Sequence, residues 1–270
     1  MSSSTATYLH AYDAQLRTDA ETPSAVAVER LGPLRLVTFA GGRGFVTYRD
    51  LAGADAETIA SWVRQTLEHY RSDPEITRVE WKTRGHDHAP RLHRTLVDHG
   101  FHPGEPESIM IGAAALLDVD VALPAQVTLR RVDTEDDVRA MSAMQDVAFG
   151  DPVSTRMADA VLQRLARRDG MELRVAEADG RVVGAGRLEP VAGSDFAGIW
   201  GGAVLADWRG RGIYRALTAV RARAALASGR TLIHSDSTAC SRPILERSGL
   251  IAVSSTTPYE WQRTPTSRAH

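Results

Sequence analysis

Cysteine and lysine are almost missing from this chain of 270 residues. Cys240 is the single cysteine, so neither an internal disulfide nor a cysteine-rich zinc site can form. Lys82 is the single lysine and follows Trp81, whereas a nucleotide-binding Walker A loop needs a Gly-Lys pair. The motifs H-E-x-x-H and G-x-S-x-G do not occur either. Their absence removes the common signatures of zinc peptidases and of nucleophile-elbow hydrolases.

Charge of one sign is not in excess, because 32 basic side chains face 34 acidic ones and the net charge is −2. This balance argues against a general nucleic-acid binder, which usually carries a basic domain. The longest apolar run, residues 109–117, is far shorter than the ~20 residues that cross a bilayer. The first residues lack the basic-then-apolar pattern of a secretory signal. We therefore expect a cytoplasmic protein with neither nucleic acid nor membrane as a partner, while a homodimer stays open.

Hydrophobic residues make up 43% of the chain, which is enough to form packed cores in one large domain or two small ones. The pattern predicts a flexible lead-in at residues 1–24, a first domain at 25–120, a second domain at 126–261 and a tail at 262–270. Pro124 breaks any regular pattern between the two domains. Strands and helices are expected in mixed order in the second domain, which indicates an α/β fold built on a mixed α+β sheet. The first domain repeats part of that order.

A glycine-arginine segment is the most informative part of the second domain. It follows a predicted strand, contains Gly210 and Gly212, and leads straight into a predicted helix. The first amides of a helix lack carbonyl partners and lie at the positive end of the helix dipole, so such a turn binds anions. Three arginines add positive charge there: Arg209, Arg211 and Arg215. The segment predicts a site for a di-anion such as a pyrophosphate. A Rossmann site is not expected, because Arg215 replaces the third glycine of G-x-G-x-x-G.

This segment resembles the central signature of the GNAT superfamily of acyl-CoA-dependent N-acyltransferases, Arg/Gln-x-x-Gly-x-Gly/Ala after a strand. Arg209, Gly212 and Tyr214 occupy its three defined places, and Tyr214 departs from the small residue expected there. Residues 231–250 match the family's later strand-helix-Gly-Phe element, with Leu250 in place of the phenylalanine. The first half resembles a degenerate copy that lacks the signature. The resemblance implies two GNAT-like domains in tandem, the second complete with a splayed central sheet and flanking helices.

The resemblance also implies acetyl-CoA as the co-substrate, and no metal. The turn and the first helical residues would hold the CoA pyrophosphate: Arg209, Gly210, Arg211, Gly212, Ile213 and Tyr214. The strand before them would pair with the pantetheine arm and the thioester through Gly202, Ala203 and Val204. Glycines at 201 and 202 inside a strand indicate either such a close approach or a β-bulge. Arg221 and Arg223 either extend the basic stripe towards the 3′-phosphate of CoA or lie on a solvated helix face.

The acid and the base of the family's chemistry are missing from their usual places. The family often has a tyrosine in the late helix that protonates the leaving thiolate, and Leu245 is the nearest match. The central strand carries no acidic residue. His234 and Asp236 share one face of a predicted strand near the expected cleft, and they are the candidate catalytic residues. Weaker candidates are Glu189, Tyr214 and Tyr259.

The sequence is compatible with two functions. The first is an N-acetyltransferase that moves an acetyl group from acetyl-CoA to the amine of a small molecule or to an amino-terminal group, by direct transfer in a ternary complex. The second is a non-catalytic acyl-CoA-binding or protein-interaction module with a GNAT fold. Both functions predict CoA binding, and only the enzyme predicts that a suitable amine releases free thiol.

Overall fold

The computed structural model describes residues 3–264, and the chain folds into two units. Unit 1 takes in the residues up to Ile109 and those from Val253 onward, and unit 2 runs from Met110 to Ala252. The expected domain limits at residues 120 and 126 therefore both fall inside unit 2. The end of the expected second domain falls in unit 1. Residues 1–2 of the expected lead-in and 265–270 of the expected tail lie outside the described part of the chain.

The helices and strands alternate along the chain. The helices are α1 Ser3–Gln15, α2 Ala56–Ser72, α3 Leu92–Asp98, α4 Glu135–Phe149, α5 Arg156–Leu165, α6 Ile213–Ala227 and α7 Arg242–Arg247. The strands are β1 Ala27–Leu31, β2 Leu34–Phe39, β3 Arg43–Thr47, β4 Arg78–Arg84, β5 His102–Pro103, β6 Glu107–Ala113, β7 Val127–Val132, β8 Glu172–Ala178, β9 Arg181–Pro190, β10 Phe196–Val204, β11 Leu232–Ser237 and β12 Ile251–Gln262. Short 3-10 helices lie at Asp19–Glu21, Ala114–Leu116 and Ala206–Trp208.

In unit 1 the strands lie in the order β1-β2-β3-β4-β12, and β5 pairs with β12. β3 and β4 are parallel and are joined by α2, whereas the other pairs are antiparallel. Helix α2 buries Ile59, Val63, Leu67 and Tyr70, which share one face because they are spaced three or four residues apart. The core that they form includes the C-terminal strand through Tyr259 and Trp261. Unit 1 is thus completed by the last strand of the chain.

In unit 2 the strands lie in the order β6-β11-β10-β9-β8-β7. β10 and β11 are parallel and joined by α6, and the β10–β9, β9–β8 and β8–β7 pairs are antiparallel. Helix α4 is capped at its start, because the Thr134 hydroxyl accepts a hydrogen bond from the Asp137 amide. The mixed strand directions confirm the predicted mixed α/β architecture.

Both units contain the same succession of elements around their parallel strands. A strand leads through a long helix to a parallel strand, and a short helix follows, α3 in unit 1 and α7 in unit 2. Gly100 and Gly249 come just after these short helices with φ angles of +87° and +94°. Glycine accepts this left-handed conformation without steric cost, so it ends both helices. The repeat expected from the sequence is present in the fold.

The first residues of the chain differ from the expected flexible lead-in at 1–24. Helix α1 and the 3-10 helix Asp19–Glu21 occupy this segment, and Tyr12 and Leu16 are buried. Arg17 is buried as well and donates to the carbonyl oxygen of Tyr48 at 3.2 and 3.0 Å. Because polar contacts hold much of this segment, it carries no sustained apolar period from which a packed helix could be predicted.

A buried charge pair ties the same segment to the parallel strands of unit 1. The pairing of β3 with β4 ends at Val46 and Trp81. Just beyond, the Glu21 carboxylate accepts hydrogen bonds from the Arg84 guanidinium of β4 and from the Thr47 hydroxyl of β3, the latter at 2.7 Å. The protein's own side chains therefore fill the place where these two strands part.

Replacing Glu21 by glutamine should destabilise the protein by about 3 kcal/mol, because it leaves the buried Arg84 guanidinium without its counter-charge. Burial by itself would raise the pKa of Glu21, but the charges of Arg84 and Lys82 outweigh it and hold that pKa below its usual value. The wild-type contribution is thus complete at neutral pH and is lost as the pH falls through the lowered pKa. Urea unfolding at neutral and acidic pH measures both effects.

The matched control is Asp98→Asn, which removes a carboxylate from an exposed ion pair with Arg94. We expect this control to cost less than about 0.5 kcal/mol. Equal losses for the two variants would contradict a special role of the buried pair.

Candidate functional site

The central parallel strands of unit 2 stay together for only a short distance. Phe196, Ala197 and Gly198 pair with Leu232, Ile233 and His234. Within residues 3–264 the pairing of β10 with β11 ends there, while β10 remains paired with β9 through Ala203 and Val204. Beyond Gly198 no described strand pairs with the backbone edge of β10 that faces away from β9, and we call this edge open; side chains of Arg221, Gln145 and Arg209 donate to the carbonyl oxygens of Trp200, Gly201 and Val204. This geometry confirms the predicted splay of the central sheet.

A β-bulge interrupts β10 soon after the strands part. The register with β9 shifts between Trp200 and Ala203, and Gly201 has a φ angle of +58°. The Gln145 side-chain amide of α4 donates to the Gly201 carbonyl oxygen at 2.6 Å. Of the two explanations for the paired glycines, the bulge is present, and the group that approaches Gly202 closely is the ring of Tyr214.

The glycine-arginine turn leads into α6 as predicted. Gly210 and Gly212 have φ angles of +74° and +80°, which side chains rarely accept. Gly212 is the N-cap residue of α6, and no side chain caps this helix end. By contrast, the Thr134 hydroxyl caps α4. The first amides of α6 are left without a side-chain acceptor, at the positive end of the helix dipole, which is the arrangement that binds an anion.

The corresponding helix end in unit 1 cannot act in the same way. Helix α2 joins the parallel strands of unit 1, and its N-cap residue is Asp55, whose carboxylate accepts a hydrogen bond from the Thr58 amide at 2.8 Å. That hydrogen bond lowers the pKa of Asp55, so the cap is negative at neutral pH. A phosphate would meet an occupied amide and a like charge. Of the two crossover helices, only that of unit 2 therefore begins without a side-chain cap.

The arginines of the turn have different environments. Arg209 donates through Nε to the Val204 carbonyl oxygen and through Nη2 to that of Ala148, both at 3.1 Å. The Arg211 guanidinium lies 5.0 Å from the centre of the Trp208 ring and is exposed, as is Arg215. Arg209 thus fastens the turn to the end of β10, while the other two guanidinium groups contribute surface charge.

The candidate catalytic residues lie on β11, at and beyond the point where the strands part. His234 is 8% exposed, and its ring lies edge-on to Phe196 and Trp200 at centroid distances of 5.7 and 5.1 Å. Asp236 follows on the same face and is half-buried. Leu245 is fully buried in the apolar core, so it is a packing residue. The structure brings His234 and Asp236 beside the open edge of β10.

Two polar residues of this region are buried, although the sequence pattern raised no expectation for one and placed the other on the surface or at the ligand. Gln145 is 5% exposed, and Arg221 is 1% exposed rather than part of a basic surface stripe. Arg223 is on the surface and pairs with Asp118 at 2.7 Å. A signal existed for both buried residues: Gln145 follows Met141 by four residues on the buried face of α4, and Arg221 follows Leu217 by four on that of α6.

No described helix has the length and apolar character needed to cross a membrane. Among residues 3–264, no group of three or more histidine, cysteine, aspartate or glutamate side chains could hold a metal ion.

Comparison with known proteins places this arrangement in a family. Residues 138–240 match the family described as Acetyltransferase (GNAT) family. They contain the bulged strand β10, the glycine-arginine turn, helix α6 and strand β11. This segment is therefore a GNAT acetyltransferase domain. A search of curated proteins gave no match for the chain.

Solved structures extend the likeness to most of the chain. A GCN5-related N-acetyltransferase from Kribbella flavida is 15% identical with a TM-score of 0.63, and the match covers 97% of this chain and 96% of that one. A tandem GNAT protein from the clavulanic acid biosynthesis pathway is 14% identical with a TM-score of 0.62, covering 91% of this chain and 85% of that one. Identities this low establish the fold alone. The fold is a tandem GNAT arrangement.

Replacing Gln145 by methionine should destabilise the protein by about 1–3 kcal/mol, because the Gly201 carbonyl oxygen loses its donor at the bulge. Gln65→Met is the matched control, since Gln65 lies exposed on α2 and bonds only within its own helix. Thermal or urea unfolding of both variants measures the difference. A Gln145 variant as stable as the Gln65 variant would contradict the bracing role.

Proposed function

We propose that this protein is an N-acetyltransferase that moves an acetyl group from acetyl-CoA to the amine of a small molecule or to an amino-terminal group. The observation that carries the proposal is the open edge of β10, which runs directly into the uncapped N-terminus of α6. An open strand edge can pair with the amide-rich pantetheine arm, and an uncapped helix end can hold the pyrophosphate. One ligand class, an acyl-CoA, requires both features side by side.

The residues present fit such a ligand. Main-chain amides from Gly210 to Tyr214, with the charge of Arg211, would hold the pyrophosphate, while Arg209 keeps the turn in place. Gly202, Ala203 and Val204 would pair with the pantetheine arm and the thioester on the side that β11 leaves open. An added Cβ on Gly210 would meet no atom within 4 Å, so the space beside Gly210 is free of protein, whereas one on Gly212 would lie 3.1 Å from Cγ1 of Val121 and 3.2 Å from the carbonyl oxygen of Ala122. The ligand supplies the activated acetyl group.

The protein's own chemical task is to position the amine and to take up its proton. Holding both reactants in one complex supplies a large part of the rate in reactions of this kind. We assign proton uptake to His234 and Asp236, because they lie on β11 beside the open edge of β10. In this proposal a small-molecule amine is the partner, the setting is cytoplasmic, and no metal, nucleic acid or membrane takes part.

The burial of Leu245 favours a second function, a non-catalytic acyl-CoA-binding or protein-interaction module. Leu245 stands nearest to the place where the family often has its acidic tyrosine, and as a core residue it cannot donate a proton.

Turnover with a panel of amines separates the two functions. We expect the full-length protein to consume acetyl-CoA in the presence of at least one small amine or peptide amino terminus. Loss of the thioester absorbance is the readout of choice, because the exposed Cys240 would react with thiol reagents. Calorimetry with CoA runs in parallel. Binding of CoA without turnover of any amine would favour the module, and absence of CoA binding would reject both functions.

A negative charge in the turn should weaken CoA binding selectively. We expect Gly210→Glu to weaken CoA affinity at least about tenfold, because a carboxylate repels the pyrophosphate at close range. Gly210→Gln places a neutral side chain of similar size at the same strained φ angle and isolates the effect of charge. Gly229→Glu puts the same carboxylate after the other end of α6, where φ is +77° and no atom lies within 4 Å of an added Cβ.

Calorimetric titration with CoA measures all three variants. Weakening by Gly210→Glu alone supports the site. Equal affinities for Gly210→Glu and Gly210→Gln would place the pyrophosphate elsewhere.

A further inference from the structure

Tyr214 takes the place of the small residue in the family signature, and its ring lies against Gly202 of β10. An ideal Cβ on Gly202 would lie 2.8 Å from Cε2 of Tyr214 and 3.4 Å from its hydroxyl oxygen. Residue 202 must therefore lack a side chain for the ring to occupy this position. Gly202 is also one of the residues to which the proposed function assigns the acyl-bearing arm. The phenol thus lies over the face of β10 at a residue that the proposed function assigns to the acyl-bearing arm.

The Tyr214 hydroxyl also has a partner beyond the end of β11. The side chain of Ser241, in the segment between β11 and α7, acts on this hydroxyl and lowers its pKa. Gly202 lies on β10 past the last β10–β11 pair, formed by Gly198 and His234. The side chain therefore extends from β10 to the segment that follows β11, across the gap that the two strands leave.

A buried cation lies near this phenol. Arg221 is two helical turns further along α6 and is 1% exposed. It donates to the Thr218 hydroxyl at 3.2 Å, and that hydroxyl donates to the carbonyl oxygen of Tyr214 at 2.8 Å. Its hydrogen-bond acceptors are neutral: the carbonyl oxygens of Leu217, Arg187 and Trp200 and the Thr218 hydroxyl, at 3.0–3.5 Å. Within the described chain, no carboxylate forms an ion pair with it. A guanidinium that is buried without an acidic partner stabilises negative charge on a neighbouring oxygen. The Tyr214 phenolate would be such a charge, because it raises the pKa of Arg221.

We propose that Tyr214 donates the proton to the sulfur that leaves acetyl-CoA, and that Arg221 is a positioning residue that stabilises the phenolate formed. This inference rests on the proposed acetyltransferase function and names one of its residues. It supplies a proton donor in a chain whose late helix has Leu245 near the usual position. It also explains why position 214, in the first turn of α6, carries a tyrosine and why the residue of β10 against its ring is a glycine.

The proton balance of the step is complete. The carbon–sulfur bond breaks with its electron pair on sulfur, and the Tyr214 hydroxyl proton passes to that sulfur. The acceptor nitrogen, which forms the new bond to the acetyl carbon, gives up one proton. His234 and Asp236 take up that proton and return it by way of water to the Tyr214 phenolate, so the products are the amide and a neutral thiol, and no further reactant is needed.

The groups around the phenol keep it protonated at neutral pH. Burial raises the pKa of Tyr214, while the Arg221 guanidinium and the hydrogen bond with Ser241 lower it in part. Burial also lowers the pKa of Arg221 to about 10, and Arg187 of β9 acts in the same direction. These groups lie on α6, on β9 and at the start of α7. A protonated phenol beside a cation is the state that a proton donor requires.

The first test compares Tyr214→Phe with the wild-type chain, using acetyl-CoA and the amine that the panel shows to be turned over best. We expect kcat to fall about 100-fold, since loss of a general acid has effects of this order, while the Kd for CoA stays unchanged. Tyr8→Phe, which removes a hydroxyl from half-buried Tyr8 on α1 of unit 1, is the matched control. Thermal unfolding of each variant verifies folding.

The second test does not depend on turnover. CoA is bound to the full-length Cys240→Ser protein, so that the CoA thiol alone contributes thiolate absorbance as the pH is raised. A hydrogen bond from Tyr214 favours the thiolate, so Tyr214→Phe should raise the pKa of the bound thiol by about one unit. Arg221→Met should raise it by a smaller amount, and Arg221→Lys, which keeps the cation, should restore it.

The outcomes separate this inference from the proposed function. A wild-type chain that binds CoA but turns over no amine rejects the enzyme and the proton donor together. If the wild type is active and Tyr214→Phe retains its kcat, the enzyme stands and the inference falls. An unchanged titration of the bound thiol in Tyr214→Phe also overturns it, whatever happens to kcat. An unchanged titration in Arg221→Met removes the role of Arg221.

Discussion

The parting of β10 from β11 after a few residues is the constraint on which the site in unit 2 depends. Beyond Gly198 the main chain of β10 has β9 on one side only, and the bulge at Gly201 changes the side on which the following residues face. Large side chains then occupy the space over the glycines of this region. Trp200 and His234 crowd Gly198, Tyr214 crowds Gly202 and Arg221 crowds Gly186. Small residues in the sheet thus allow large functional side chains beside it.

The crossover helices of the two units differ at their first residues. In unit 2 the crossover helix begins at Gly212, which has no side chain to cap it. In unit 1 the corresponding helix begins at Asp55, whose carboxylate binds a helix amide. In unit 1 the Glu21 carboxylate also occupies the gap between the parallel strands. In unit 1 a carboxylate of the chain itself therefore occupies both the start of the crossover helix and the gap between the parallel strands.

Much of the fold and the turn could be predicted from the sequence, because apolar periodicity and positive-φ glycines are local signals. The tandem arrangement, the splayed sheet and the turn at Gly210 and Gly212 follow from such signals. Helix α1 could not be predicted, since its contacts are largely polar and reach residues far along the chain. Arg221 was misplaced because an arginine on a helix is normally solvated. The role that we propose for Tyr214 depends on the contact of its ring with Gly202 of β10, and the spacing of residues in the sequence does not reveal this contact.

The C-terminal strand β12 belongs to unit 1, where it pairs with β4 from Arg78 to Arg84. The ribosome makes the whole of unit 2 before it makes this strand. Unit 2 is continuous in sequence and can collapse on its own residues, whereas unit 1 must wait with an unpaired β4 edge until the final segment emerges. Unit 2 is thus free to fold first, and unit 1 is completed last.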